Sequence, residues 1–142
     1  MCTKPNEKLW PDEAMIWETA KPYLYMRTTK DKRIIAGGLD EGRNILEKNQ
    51  LRILEKATKI TDKIKKLFPF LDIKIDYYWT ALFYGTKDGL PFIGRDPNRK
   101  NVYYLLGYEG NGMCYSMAGS LIIKDLIKGE PNKYENIVGL DR

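Results

Sequence analysis

Between residues 47 and 68 the chain carries one uninterrupted run of helical period, and a proline closes it. Leu51, Leu54, Ala57, Ile60, Ile64 and Leu67 recur at steps of three and four, which places them on one helical face. Glu47, Lys48, Arg52, Glu55, Lys56, Lys59, Lys63 and Lys66 fill the other faces. Pro69 disfavours helical backbone in its predecessor, so the helix is predicted to end at or just before Phe68.

The segments around this helix read as strands. Residues 15–20 and 23–28 are short apolar and aromatic runs broken by Pro22, and 33–37 closes a hairpin over a polar turn at 29–32. Gly37, Gly38 and Gly42 then mark an irregular loop. After the helix, 72–84 holds Ile73, Ile75, Tyr77, Tyr78, Trp79 and Phe83, a density that predicts one long strand, bent or bulged. Residues 102–106 read as a buried strand. A second helix is predicted over 113–128, stopped by Gly129 with Pro131 soon after. The expected fold is α+β: an antiparallel sheet with a long amphipathic helix, followed by a C-terminal strand and helix, in a single domain over 1–142.

Composition narrows the function classes. The chain has no histidine, which removes Ser-His-Asp and Cys-His catalysis and argues against a zinc site. Two cysteines, Cys2 and Cys114, make no disulfide framework, and Cys2 is expected in a loose terminus. The net charge of +5 does not form a single-sign patch, because lysines alternate with acids through 47–66. A solvated helix face accounts for it, and no nucleic-acid partner is expected. No apolar run approaches the roughly 20 residues needed to span a bilayer, and residues 1–7 lack the apolar core of a signal peptide. The expected location is cytoplasmic.

Two segments could carry chemistry. Asp88-Gly89-Leu90-Pro91 is a tight turn leading into a strand end, with Gly89 free to take positive φ and Pro91 fixing its own. Gly110-Asn111-Gly112 opens the second helix. Glycines there let backbone pass close to a flat ligand, and the first N–H groups of the helix have no internal partner. Such a terminus favours negative charge.

The order of these segments is itself specific. WTALFYGTKDGLPFIG over 79–94, followed by GYEGNGMCYSMAGSLIIKDLIKG over 107–129, resembles the C-terminal signature of the D-amino-acid-oxidase-like (DAO) superfamily of FAD-dependent oxidoreductases. The resemblance is strong from Trp79 to Pro131 and weaker upstream, where PYLYMRTTKDKRIIAGGLD over 22–40 is similar to the family's substrate-domain hairpin. It implies that Gly89, Leu90, Pro91, Gly110, Asn111, Gly112 and Met113 contact FAD. It also implies that Tyr25, Arg27, Phe83 and Tyr84 line the substrate site, with Tyr23 and Met26 as further candidates facing that cavity.

The resemblance further implies hydride transfer from an amine or amino-acid substrate to flavin, held without a covalent link because no cysteine lies between Trp79 and Thr86. It does not imply a catalytic base, and no titratable residue stands out as one. The family's opening strand–glycine turn–helix, which cradles the FAD pyrophosphate, has no counterpart here. The chain is therefore expected to be the later part of a flavoenzyme, inactive without an N-terminal FAD-binding domain. Small residues Ala118 and Gly119 would pack against that domain, leaving a sticky surface with Ile122 and Ile123 when it is missing. An internal core is the alternative.

One departure matters. Glycine-oxidase-like members carry an arginine near Phe83 that forks onto the substrate carboxylate, and here the stretch is Ala81-Leu82-Phe83-Tyr84-Gly85. Arg27, Arg33 or Lys87 could substitute, or the substrate could be an amine with no carboxylate at that place. A different class of function also stays open: a stand-alone binding or interaction domain derived from such an enzyme, without redox activity.

Overall fold

The computed structural model describes residues 1–42 and 45–142. The architecture is α+β, and the single domain expected over 1–142 is described as two compact units, Met1–Leu82 and Phe83–Arg142.

In the first unit, the strands are β1 (Cys2–Thr3), β2 (Ile16–Trp17), β3 (Leu24–Thr28), β4 (Ile34–Gly38) and β5 (Ile75–Tyr77). They form an antiparallel sheet in the order β2-β3-β4-β1-β5 among the described residues. Alternation along β3 divides the faces: Leu24 and Met26 are buried, while Tyr25 and Arg27 point the other way. The buried face is covered by helix α1 (Gln50–Leu67), and Ile34, Ala36, Ala57, Ile60 and Ile64 meet in its core with Met1, Trp10, Leu71 and Ile73.

The helix starts at Gln50, not at 47, because the Asn49 side chain caps it by accepting from the Leu51 N–H at 3.0 Å. Its end is where Pro69 requires, with the Phe68 N–H still donating to the Ile64 carbonyl. The apolar face is rotated from the expected one. Ile53 and Thr61 join Ala57, Ile60 and Ile64 inside, whereas Leu51 is 71% exposed and Leu54 and Leu67 are also exposed. Two residues span roughly 200° of a helix, so with Ile53 inward Leu51 points outward. Thr61 satisfies its hydroxyl by donating to the Ala57 carbonyl, with the Met1 sulfur 3.4 Å away.

Three other expectations are corrected. Cys2 is not in a loose terminus: β1 lies between β4 and β5, pairing Cys2 with both Ile35 and Tyr77. The Met1 ammonium donates to the Ala36 carbonyl at 2.7 Å. Thr3 is fully buried, and its Oγ1 accepts from the Ile34 N–H and from the Asn6 amide. The long strand expected over 72–84 shrinks to Ile75–Tyr77, since its only neighbour among the described residues, β1, offers two residues with a register shift between them. The strand expected over 15–20 likewise shrinks to the two residues that pair with Met26 and Tyr25.

In the second unit, β6 (Phe92–Arg95) and β7 (Tyr103–Leu106) form an antiparallel pair, where sequence gave only a strand end and one strand. Helix α2 (Gly112–Lys128) packs on this pair, and a short helix α3 (Glu135–Val138) completes a core of Ile93, Ile122 and Val138 with Leu105, Ile123 and Leu126. Gly119 makes the approach possible: a Cβ there would stand 2.3 Å from Leu105 Cδ1. The surface expected along Ala118, Gly119, Ile122 and Ile123 is thus mostly interior to this unit, and only Ala118 among them is exposed. The large apolar residues that α2 does expose are Met113, Met117, Leu121 and Ile127. Gly129 ends α2 in the left-handed region, φ +71°, as its position after the last apolar residue required. Among the described residues, no helix is long and apolar enough to cross a membrane.

Candidate functional site

Both glycine-containing segments lie in the second unit, and hydrogen bonds join the chain on either side of them. The Asp88–Pro91 turn is built by short-range polar contacts. Asp88 Oδ1 accepts from the Leu90 N–H at 3.1 Å, and the Thr86 hydroxyl lies 2.6 Å from the Leu90 carbonyl oxygen. Gly89 takes φ +73°, as a turn of this kind needs. Just before the turn, Gly85 forms an isolated antiparallel bridge with Tyr108, and the Glu109 N–H donates to the Tyr84 carbonyl at 3.1 Å. Gly107 supports this approach with φ +71°, and a Cβ there would come within 2.8 Å of the Thr86 methyl carbon.

The second segment makes a 3-10 turn at Glu109–Asn111 and then enters α2. Asn111 stands at the N-cap but makes no side-chain capping bond, and no acidic residue occupies the first turn. The N–H groups there thus lack a side-chain acceptor. Around Gly110 there is open space: a Cβ would meet nothing within 4 Å. Gly112 is tighter, with the Tyr108 ring 3.0 Å from where its Cβ would be. Met113, at the start of the helix, is 89% exposed. A flat ligand with a negatively charged edge fits an uncapped helix terminus flanked by an unfilled glycine.

Pro91 is fully buried and Leu90 half-buried, so this turn offers backbone and the Gly89 edge more than side chains. Phe83 and Tyr84, in the same unit, are exposed aromatic side chains.

Tyr25 and Arg27 belong to the first unit, neighbours on the sheet face that α1 leaves uncovered. Tyr25 lies over Gly37, whose missing side chain makes room for the ring; a Cβ there would stand 2.4 Å from the phenol oxygen. Burial, then Asp40 and Tyr23, push the Tyr25 phenol above its ordinary range. Trp17 and Tyr23 continue the aromatic row edge to face. Met26, offered as a cavity residue, instead lies under α1.

The three candidate cations fare differently. Arg33 is already held by Asp31 at 2.7 Å and Asp76 at 2.5 Å, and it also donates to the Thr3 carbonyl. Those carboxylates raise its guanidinium further above its ordinary range. Lys87 is exposed on the turn of the second unit. Arg27 is exposed on the open aromatic face, with a long 3.4 Å contact to the Thr28 carbonyl.

Sequence reasoning missed Arg142. Its guanidinium reaches back more than fifty residues to Asp88, Leu90 and Pro91. No local pattern around residue 142 signals such a partner.

The family model described as DAO, FAD dependent oxidoreductase, matches residues 1–126. The glycine oxidase of Bacillus subtilis (strain 168) is 31% identical over 121 residues, covering 84% of this chain and 32% of that protein. The gamma-glutamylputrescine oxidoreductase of Escherichia coli (strain K12) is 33% identical over 120 residues, covering 82% of this chain and 26% of that protein. The crystal structure of glycine oxidase from Geobacillus kaustophilus superposes with a TM-score of 0.67 at 18% identity, over 93% of this chain and 34% of that one. The likeness in structure shows the shared fold. This chain spans about a quarter to a third of the length of these curated relatives.

Proposed function

This chain belongs to the DAO family of FAD-dependent oxidoreductases, and on that footing we propose that it supplies the substrate-binding sheet and the flavin-contacting loop of an enzyme oxidising an amine or amino-acid-like substrate. The observation that carries the reading is local to the second unit. There the Gly85–Tyr108 bridge joins the segment leading to the Asp88–Pro91 turn with the loop opening the uncapped start of α2.

FAD, where bound, would supply the hydride acceptor for oxidation of a substrate carbon beside an amine nitrogen. Gly110 and Gly112 let the backbone come close to the flat ring, with Asn111 and Met113 beside them. The first N–H groups of α2 donate to the edge that gains negative charge on reduction. Gly89 and Leu90 border the same cofactor through backbone, with Pro91 fixing the exit of the turn. In the first unit, Arg27 offers its guanidinium fork to an anionic group of the substrate, and Tyr25 sets the aromatic wall beside it. Phe83 and Tyr84 add apolar surface where glycine-oxidase-like members carry the arginine, which favours a substrate whose anionic group, if present, lies elsewhere.

The proposal includes a dependence on a second part. Nothing among the described residues is assigned to the FAD pyrophosphate, so the chain binds flavin non-covalently only with an N-terminal dinucleotide-binding domain, and it does not turn over alone. An FAD titration followed by visible absorbance and fluorescence tests this, using the chain by itself and joined to a dinucleotide-binding domain. Flavin retained only in the joined protein is the expected result. Tight saturable binding by the chain alone overturns the dependence. A joined protein that folds but stays colourless overturns the flavin reading and leaves a non-catalytic interaction domain.

A further inference from the structure

The Arg142 side chain is only 14% exposed, although the residue as a whole is exposed. Four separate contacts hold it. The guanidinium pairs with the Asp88 carboxylate through Nη1. Nη2 donates to the Leu90 carbonyl at 2.6 Å and lies 3.3 Å from the Pro91 carbonyl. The guanidinium carbon stands 4.3 Å from the centre of the Phe92 ring, in range of a cation–π contact. All four partners are consecutive or nearly so, and they constitute the turn and the strand start that follows it. A planar fork suits this task, since it reaches a carboxylate and two carbonyls while stacking on an aromatic face; a lysine ammonium cannot do all of these at once.

We propose that Arg142 is a positioning residue that clasps the Asp88–Pro91 turn in one conformation, and thereby fixes the backbone edge that the turn presents to the flavin. The second half rests on the reading given under Proposed function. The turn's other ties are mostly short-range, through the Thr86 hydroxyl and the Asp88 carboxylate, with the Tyr115 hydroxyl 3.5 Å from the Gly89 carbonyl oxygen. The Gly89 N–H reaches the Thr86 carbonyl only at 3.4 Å, and Gly89 has no side chain to pack. Asp88 is shared, its Oδ1 on the Leu90 N–H inside the turn and its Oδ2 on Arg142. Loss of the guanidinium therefore loosens both the carboxylate and the two carbonyls. Consistent with this, Arg142, ahead of the Leu90 N–H and the Thr86 hydroxyl, holds the Asp88 carboxyl down at about 2.

The test has two arms. In the first, amide hydrogen exchange at Gly89 and Leu90 is measured in the full chain carrying Arg142→Gln, with α2 amides as the folding control. Exchange at the turn should quicken by tenfold or more while α2 is unchanged, Arg142→Lys should recover part of the protection, and the Asp88 carboxyl should titrate nearer its ordinary range. Should Arg142→Gln unfold the unit, Asp88→Asn cuts the same tie from the other side and should quicken the same two amides. Unchanged exchange in a folded variant overturns the clasp. In the second arm, the visible flavin spectrum is recorded for the chain joined to a dinucleotide-binding domain, with and without Arg142→Gln. A shifted spectrum supports the positioning role. An identical spectrum over a loosened turn overturns it. If the unsubstituted joined protein takes up no flavin, the flavin reading has failed, and the exchange arm still decides whether Arg142 holds the turn.

Discussion

The two units of this chain are stabilised by different means. In Met1–Leu82, a helix of 18 residues lies on a sheet, and the core runs continuously from Met1 and Trp10 through Ile34 and Ile64 to Ile73. In Phe83–Arg142, the core cluster is Ile93, Ile122 and Val138 with Leu105, Ile123 and Leu126 partly buried against it, and much of the ordering falls to polar ties in loops. Arg142 holds one loop; Asp96 holds another, accepting from the Asn98 and Arg99 N–H groups and from the Tyr104 hydroxyl. The difference fits the proposed division of labour. A deep core makes a rigid platform for a substrate face, whereas loops that must bring bare backbone close to a cofactor cannot bury large side chains there. Their geometry has to come from directional bonds.

That contrast can be broken most forcefully from the apolar side. Ile64 is fully buried between α1 and the sheet, so Ile64→Ala should cost about 2–5 kcal/mol through lost burial and the cavity left behind. Urea unfolding followed by far-UV circular dichroism would show it, and a loss below 1 kcal/mol would mean that the first core is looser than described. Next comes Gly38, at φ +113°, where an added Cβ would stand 2.1 Å from the Tyr23 carbonyl oxygen. Because backbone cannot swing aside as a side-chain tip can, Gly38→Ala should cost about 1–3 kcal/mol from backbone strain, before the clash is added. The same unfolding measurement applies, and exchange at the Leu39 N–H, which donates to that carbonyl, should quicken in parallel.

Smaller effects sharpen the comparison. Asn49→Ala removes the α1 cap and should lower stability by about 1 kcal/mol, an effect that Asn49→Ser should largely avoid. In the second unit, acid is the finer probe. The Asp88 carboxyl is depressed to about 2 in the folded chain, chiefly by Arg142, against about 3.9 when unfolded. A depressed carboxylate stabilises the fold above its unfolded value and loses that contribution as pH falls through the folded one. The stability difference between the native chain and Asp88→Asn should therefore be constant above about pH 5 and shrink between about pH 4 and 2. A difference that does not change over that window would remove the Asp88–Arg142 tie from the account. High salt should weaken the tie as well, since Asp88 is exposed.

What could be read from the chain alone was whatever repeats over short distances. Helix α1 was visible because its period persists and Pro69 ends it. The β3–β4 hairpin and α2 were visible from apolar runs set between turn residues, and Gly129 marked where α2 stops. The two glycine-containing segments were legible as a backbone-exposing turn and helix start, and their order carried the family resemblance. The tertiary structure decided what depends on partners distant in sequence. A strand of two residues has no period, so β1 could not be seen until β4 and β5 paired with it. The run at 72–84 had the composition of a long strand, yet β1 paired with only Ile75 and Tyr77 of it. Which side of α1 faced inward hung on Ile53 and Thr61, and that choice was made by the sheet beneath. Gly119 looked like a contact for another domain until Leu105 filled its space, and Arg142 had no visible role until the chain returned it to Asp88. Local backbone preference is written in neighbouring residues; the pairing, rotation and clasping of elements are set by contacts across many residues, and these exist only once the chain has folded.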